Sequence, residues 1–96
     1  MTRCTLSPRA QADLDEIWDY SYSRWGLDQA ENYVLAIKAA IEFIAEDPRR
    51  GRSCEVLRAG YWKYSVGSHV PFYRVLPTGA NVVRILHRRM EFERHL

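Results

Sequence analysis

Hydrophobic positions in the first half of the chain recur with the period of an α-helix and predict two amphipathic helices. The first is expected to begin at Pro8, because Ser7 is a good N-cap and proline suits the first helical position. Gly26 supplies its C-terminal stop. Its predicted apolar face carries Leu14, Ile17, Trp18, Ser21 and Trp25.

A second helix is predicted from Asp28 to Glu46, and Asp47-Pro48 ends it. Its predicted apolar face carries Ala30, Tyr33, Val34, Ile37, Ile41 and Ile44. Because a turn as short as Gly26-Leu27 joins them, the two helices are expected to pack as an antiparallel hairpin. Each helix then has apolar surface left over, which a sheet must cover.

Period-two patterns in the last third predict three strands, from Tyr61 to Val66, from Val70 to Leu76 and from Val82 to His87. Turn residues separate them, so an antiparallel meander is expected. A short strand at Arg3–Leu6 precedes the helices, and a short helix is expected from about Arg89. The predicted fold is therefore α+β, in the order β-α-α-β-β-β, as one domain over residues 1–96.

Two of the predicted strands carry an arginine between apolar neighbours. Alternation places Phe72, Arg74 and Leu76 on one face of one strand, and Val82, Arg84 and Leu86 on one face of the next. An arginine is costly to bury without a partner. We therefore expect this sheet face to receive an acidic or amphipathic partner.

Charge is divided unequally between the two halves of the chain. Residues 1–48 hold four Lys/Arg and nine Asp/Glu, whereas residues 49–96 hold ten Lys/Arg and three Asp/Glu, so the halves carry −5 and +7. Either the basic half binds something anionic, such as nucleic acid or an acidic protein segment, or the two halves neutralise each other in the fold. The sequence leaves both interpretations open.

The sequence lacks the residue spacings that characterise several kinds of metal or catalytic site. The three histidines are dispersed, and Cys4 and Cys54 lie far apart without a CxxC pair, so no metal site or cofactor is expected. No glycine-rich phosphate loop and no G-x-S-x-G motif occurs. The acidic group of Asp13, Asp15, Glu16 and Asp19 is interpreted as a solvated helix face.

Cleavage of RNA without a metal is the catalytic alternative, since it needs only a base and cations that hold the phosphate. The candidate groups are Lys63, Arg74, Arg84, His87 and Arg89. Alternation along the strand, however, places His87 and Arg84 on opposite faces of the sheet, which argues against a single site that contains both. The aromatic run Tyr61, Trp62 and Tyr64 is either a base-stacking platform or core, and the core interpretation is favoured in so small a protein.

Nothing in the sequence indicates export or membrane insertion. The chain opens with no signal-like segment, and no apolar run approaches the roughly 20 residues that cross a bilayer. With 47% hydrophobic and 27% charged residues, the composition is that of a folded protein and not of a disordered one. We expect a soluble cytoplasmic protein.

Several local motifs, taken in order, have a familiar pattern. They are Leu6–Leu14, Ile17–Tyr20, Trp25-Gly26, Ile44–Pro48, Leu57–Tyr61, Gly67–His69, Phe72–Val75 and Arg84–Met90. With these segments the chain resembles the ParE toxins of bacterial type II toxin–antitoxin modules, within the RelE/ParE superfamily. The resemblance implies a helical hairpin against an antiparallel sheet. It also implies a ParD-like antitoxin whose C-terminal segment wraps the toxin and whose N-terminal domain binds operator DNA, so that the toxin meets that DNA only through its partner.

For activity, the resemblance implies inhibition of DNA gyrase, trapped with cleaved DNA, and no catalysis by the toxin. The basic second half makes Arg84, His87, Arg88, Arg89 and Arg94 the expected target contacts. The arginine-bearing sheet face makes Phe72, Arg74 and Leu76 the expected antitoxin contacts.

The RelE branch of the superfamily provides the alternative function, a ribosome-dependent endoribonuclease. That branch cuts messenger RNA in the ribosomal A site with basic residues and a tyrosine or similar group near the C-terminus. Here no tyrosine follows Arg89, which disfavours the nuclease interpretation, although His87 would be the substitute base. A decayed toxin without toxicity is the third interpretation.

Overall fold

The computed structural model describes residues 3–96 and shows two helices packed against a five-stranded sheet. The helices are α1 (Pro8–Trp25) and α2 (Leu27–Glu46). The strands are β1 (Arg3–Leu6), β2 (Arg52–Ser53), β3 (Tyr61–Lys63), β4 (His69–Leu76) and β5 (Gly79–His87). Short 3₁₀ turns span Pro48–Arg50 and Phe92–Arg94.

Both ends of α1 are where the sequence predicts them. The side chain of Ser7 accepts the backbone N–H of Ala10 at 3.0 Å, as an N-cap does. The same hydroxyl donates to the carbonyl of Val83 at 2.7 Å and so ties the start of the helix to β5. At the other end Gly26 has a φ of 88°, a left-handed value that glycine adopts without a steric penalty, and it lies directly between the helices. The predicted hairpin is confirmed.

The sheet has the strand order β1-β5-β4-β3-β2. The antiparallel meander of β3, β4 and β5 agrees with the prediction. The sheet as a whole is mixed, however, because β1 pairs in parallel with residues 79–82 of β5. The two-residue strand β2, which pairs with β3, was not predicted.

An irregularity in β5 overturns one sequence-based expectation. Phe72 faces Arg84 across the β4–β5 pair, whereas the next residue, Tyr73, faces Val82, so Val83 is an extra residue in β5. Because this bulge shifts the alternation, Val82 packs toward the helices while Leu86 packs on the opposite face. The prediction that Val82, Arg84 and Leu86 share one face is therefore wrong.

Both faces of the sheet carry buried apolar side chains. The helix-side core includes Leu14, Ile17, Ile37, Ile41, Ile44, Tyr73, Val82 and Ile85. Trp62 and Tyr64 pack against this core, which confirms that they serve packing. The tyrosine Tyr61 packs against the second core instead.

The second core lies on the face of the sheet away from the helices. It contains Cys54, Val70, Phe72 and Leu86, and the C-terminal residues Phe92 and Leu96 pack against it. The rings of Phe72 and Phe92 meet edge to face, with centroids 4.8 Å apart. The C-terminal segment thus docks on the sheet, through a 3₁₀ turn where a short α-helix was predicted.

Docking of this segment corrects the expectation that Phe72 is presented to a partner. Phe72 is 0% exposed, because the chain's own C-terminal residues cover it.

In the part of the chain that the structure describes, no helix is long and apolar enough to span a bilayer.

Candidate functional site

A groove of about 990 Å³ opens between the helical hairpin and the second half of β5, and we call it the hairpin groove. It arises because β1 pairs with β5 only as far as Val82. Beyond that point the edge of β5 faces α1 instead of another strand. Buried Ser21 from α1 and buried Ile85 from β5 contribute to its lining.

A bidentate ion pair lies at one end of this stretch of the β5 edge. The carboxylate of Asp13 accepts Nε of Arg84 at 2.8 Å and Nη2 at 3.0 Å. Its Oδ2 also accepts the backbone N–H of Ile85 at 2.9 Å, so it caps a donor of the strand edge. The side chains of Asp13 and Arg84 are 12% and 14% exposed, and the hydrogen bonds that Arg84 donates to Asp13 raise the pKa of Arg84. The pair is therefore a structural link between α1 and β5.

The Asp13 contact changes two sequence-based interpretations. Of the acidic residues on α1, Asp15, Glu16 and Asp19 are exposed as predicted, but Asp13 is not part of the solvated face. Arg84, an expected target contact, is held by Asp13 and donates its remaining Nη1 to the carbonyl of His95 at 3.0 Å. Its guanidinium is committed within the fold, so it shapes the groove rather than offering a free charge.

A tyrosine and two histidines form a cluster in the middle of the groove. The hydroxyl of Tyr33 lies 2.6 Å from Nδ1 of His69 and accepts the backbone N–H of Ser68 at 3.1 Å. The rings of His69 and His87 are perpendicular, with centroids 5.2 Å apart. Burial, and next to it the neighbouring His87, lowers the pKa of His69 to about 4. Burial raises the pKa of the Tyr33 hydroxyl.

These pKa shifts define the protonation of the cluster at neutral pH. His69 is uncharged, the Tyr33 hydroxyl keeps its proton, and the two groups share one hydrogen bond at Nδ1 of His69. His87 is engaged as well, since its Nδ1 accepts the backbone N–H of Arg89 at 3.1 Å. The cluster is thus a polar, internally hydrogen-bonded section of the groove lining.

The expected target contacts divide between the groove and its surroundings. Arg84, His87, Arg88 and Arg89 all line the groove, and Arg88 and Arg89 are exposed in the turn after β5. Strand parity separates His87 from Arg84 as predicted, but both line the groove because Arg84 reaches across the sheet edge to α1. Arg94 lies outside this lining and pairs with Glu91 at 2.8 Å in an exposed contact.

The expected antitoxin contacts lie elsewhere. Arg74 is exposed near the ring of Tyr61, 5.8 Å from its centroid, and Leu76 is partly buried at the end of β4. Arg74 faces Asn81 in β5, whereas Arg84 faces Phe72. The groove contains Arg84, His87 and Arg89 but neither Lys63 nor Arg74, so the structure brings together three of the five candidate groups of the nuclease alternative.

Two exposed aromatic rings at the tip of the hairpin were missed by sequence reasoning. Tyr20 is 59% exposed and Trp25 is 52% exposed, and both line the groove. Their rings meet edge to face at 5.9 Å, and the guanidinium of Arg24 lies 5.8 Å from the Tyr20 ring. Helical spacing predicted that Trp25 is buried, which is wrong. The sequence feature that indicates its exposure is its position as the last residue before Gly26, where the helix ends.

The charge of the groove is predominantly positive. Its arginines are Arg9, Arg24, Arg84, Arg88 and Arg89, and its acidic residues are Asp13 and Glu16. All three histidines of the chain also line it. Over residues 3–96, no cluster of three or more His, Cys, Asp or Glu side chains could hold a metal ion. The arrangement suits an extended anionic ligand.

Comparison with known proteins identifies the family. Residues 5–92 match the family model described as "ParE toxin of type II toxin-antitoxin system, parDE". The chain is 53% identical to Toxin ParE1 of Mycobacterium tuberculosis H37Rv over 96 residues, covering 99% of this chain and 98% of that protein. It is 50% identical to Toxin ParE1 of Caulobacter vibrioides over 91 residues, covering 95% of this chain and 94% of the relative.

A solved structure shares the fold. It is described as "Chromosomal ParDE TA system from P. aeruginosa" and superposes with a TM-score of 0.78 at 20% identity, over 91% of this chain and 96% of that one. The family match over nearly the whole length, the two relatives and the helical hairpin on a mixed sheet agree with one another. The chain therefore belongs to the ParE toxin family of type II toxin–antitoxin systems.

Proposed function

We propose that this ParE-family toxin inhibits DNA gyrase when its cognate ParD-like antitoxin does not hold it, and that gyrase is then trapped on cleaved DNA in the bacterial cytoplasm. Replication stops and growth is arrested. The observation that carries the proposal is the hairpin groove, with Arg88 and Arg89 exposed at its rim. Neither arginine makes a salt bridge within residues 3–96, so their charge is available to an acidic protein surface or to gyrase-bound DNA.

The proposed inhibition needs no catalysis by the toxin. Two contacts support this interpretation, because each of the two histidines that the sheet contributes to the groove has one ring nitrogen hydrogen-bonded within the protein. Nδ1 of His69 is engaged by Tyr33 and Nδ1 of His87 by the backbone of Arg89. Binding alone is sufficient if the toxin stabilises the cleaved state of gyrase relative to the resealed state.

The antitoxin is proposed to contact Arg74 and Leu76 on β4. Arg74 is exposed and can pair with a carboxylate of an amphipathic segment, while Leu76 offers adjoining apolar surface. Phe72 is left out of this proposal because it is fully buried. Operator DNA is proposed to be bound by the antitoxin and not by this chain.

The proposal is tested with purified, antitoxin-free protein in a gyrase supercoiling and DNA-cleavage assay, run beside a cell-free translation reaction. We expect loss of supercoiling, accumulation of cleaved DNA and normal translation. The double variant Arg88→Glu/Arg89→Glu should lose at least tenfold in inhibitory potency. A matched control, Arg49→Glu/Arg52→Glu, makes the same charge change at exposed residues outside the groove and should inhibit as the unmodified protein does.

Two results would contradict the proposal. If the folded protein leaves supercoiling intact and blocks translation, the protein belongs functionally with the endoribonucleases. If both double variants lose the same potency, overall charge is responsible and the groove is not the target site.

A further inference from the structure

We propose that the hairpin groove binds a single strand of nucleic acid, with bases stacked on Tyr20 and Trp25 and phosphates paired with Arg24, Arg88 and Arg89. The inference rests on the proposed function, since it identifies the ligand of the groove as a DNA strand that gyrase has opened. It divides the groove into an aromatic end on the helical hairpin and a basic end after β5.

The first argument is charge. Asp13 and Arg84 neutralise each other within hydrogen-bonding distance. The remaining arginines of the groove then outnumber its remaining carboxylate, which belongs to Glu16. Four unneutralised guanidinium groups in one groove attract a polyanion, and each phosphate they neutralise releases a condensed counterion. Arg88 and Arg89 are adjacent in sequence and both exposed, as successive phosphate contacts require.

The second argument is the exposure of the aromatic rings. Tyr20 and Trp25 lie mostly outside any core, yet their edge-to-face contact at 5.9 Å holds them in a defined geometry. An edge-to-face pair leaves a ring face open. Any base can stack on such a face, because every base has a π-face. Arg24, near the Tyr20 ring, places a phosphate contact beside the platform.

The two features together favour a single strand over other anionic ligands. An acidic peptide would satisfy the arginines, but it would leave the aromatic faces unused. A duplex would also satisfy them, but its bases are stacked on one another and cannot reach a side-chain ring without being splayed out. An unpaired strand satisfies both features, because its phosphates and free base faces alternate along its length.

The experiment measures fluorescence anisotropy of a labelled 12-nucleotide oligothymidylate with the full-length, antitoxin-free toxin. We expect saturable binding whose affinity falls as the salt concentration rises. Trp25→Ala should weaken binding about tenfold, as loss of one stacked base implies, with an unchanged salt slope. Arg88→Glu/Arg89→Glu should weaken binding at least tenfold and flatten the salt slope.

Matched controls separate the groove from general effects. Tyr22→Ala removes another exposed aromatic of α1 that does not line the groove, and Arg49→Glu/Arg52→Glu repeats the charge change elsewhere. Both should bind as the unmodified protein does. Thermal unfolding of every variant must match the unmodified protein, which is expected because the replaced side chains are exposed.

Several outcomes would overturn the inference. They are no binding to the oligonucleotide at low salt, equal losses in the controls, or equal affinity for a labelled oligoglutamate peptide without any effect of Trp25→Ala. Binding to oligouridylate but not to oligothymidylate would overturn DNA as the ligand. If the oligonucleotide does not bind while gyrase is still inhibited, the inference fails and the proposed function stands. If it binds while gyrase is unaffected, the proposed function fails, and with it the assignment of gyrase-opened DNA as the ligand.

Discussion

Asp13 of α1 and Arg84 of β5, 71 positions apart in sequence, are joined by two hydrogen bonds while the same carboxylate caps the backbone N–H of Ile85. One carboxylate thus accepts hydrogen bonds both from a guanidinium and from a backbone N–H on a strand edge that β1 does not reach. The contact sets the distance between the helical hairpin and the sheet at one end of the groove.

Removal of this carboxylate should destabilise the fold. We expect Asp13→Ala to lower the free energy of unfolding by about 3 kcal/mol, because Arg84 and the Ile85 N–H both lose a mostly buried partner. Asp15→Ala, two residues further along α1 and exposed, should change it by less than about 0.5 kcal/mol. Urea denaturation compares the two, and equal effects would show that the ion pair adds nothing beyond a surface charge.

Stability should depend on pH through His69. Its pKa is about 4 in the folded chain, against 6.5 for the free side chain, mainly because of burial. Between these values the unfolded state binds more protons than the folded state, so the free energy of unfolding falls as the pH is lowered from 6.5 to 4. His69→Gln should be less stable than the unmodified protein at pH 7 and should lose less stability by pH 4.5.

The measurement is urea denaturation at steps from pH 7 to pH 4.5, in which other carboxylates contribute equally to both proteins. His95→Gln, at an exposed position, serves as the control and should follow the unmodified protein. A His69→Gln curve parallel to that of the unmodified protein would contradict the assigned burial of the neutral imidazole.

The C-terminal segment should be an energetic part of the fold. Phe92→Ala removes the ring that covers Phe72, and we expect a loss of about 1–3 kcal/mol together with faster tryptic cleavage after Arg89 and Arg94. Met90→Ala, at an exposed side chain, should alter neither quantity. Unchanged stability and cleavage in Phe92→Ala would mean that this segment does not seal the second core.

Antitoxin affinity should depend on Arg74. Arg74→Glu places a negative charge where an acidic partner segment is proposed to dock, so we expect at least a tenfold loss of affinity for the cognate antitoxin in titration calorimetry. Arg49→Glu makes the same change at another exposed arginine and should retain affinity. Retained affinity in Arg74→Glu would move the antitoxin interface away from β4.

The sequence predicts those features that depend on local chemistry. Ser7 and Gly26 define the ends of α1 because capping and positive φ are properties of a few adjacent residues. The meander of β3 to β5 follows from alternation and turns. The helical hairpin follows from the short loop between two amphipathic stretches.

The features it misses depend on contacts between distant residues. The parallel pairing of β1 with β5 has no local signal, and the extra residue Val83 reverses the alternation that a period-two pattern assumes. Asp13 has the spacing of a solvated residue and is mostly shielded from solvent only because it pairs with Arg84, 71 positions away along the chain. Charge alone indicates Arg88 and Arg89 as candidates. That they line the same groove as Trp25 depends on the tertiary fold, so the sequence did not predict it.

The parallel pairing of β1 with residues 79–82 joins the first strand of the chain to the last one, so the sheet cannot be completed until the C-terminal third has been synthesised. The helical hairpin leaves the ribosome well before β5, so its apolar faces stay uncovered until the last third of the chain has emerged. Non-local pairing of this kind closes late. Since β5 forms one wall of the hairpin groove, this groove is among the last features of the molecule to form.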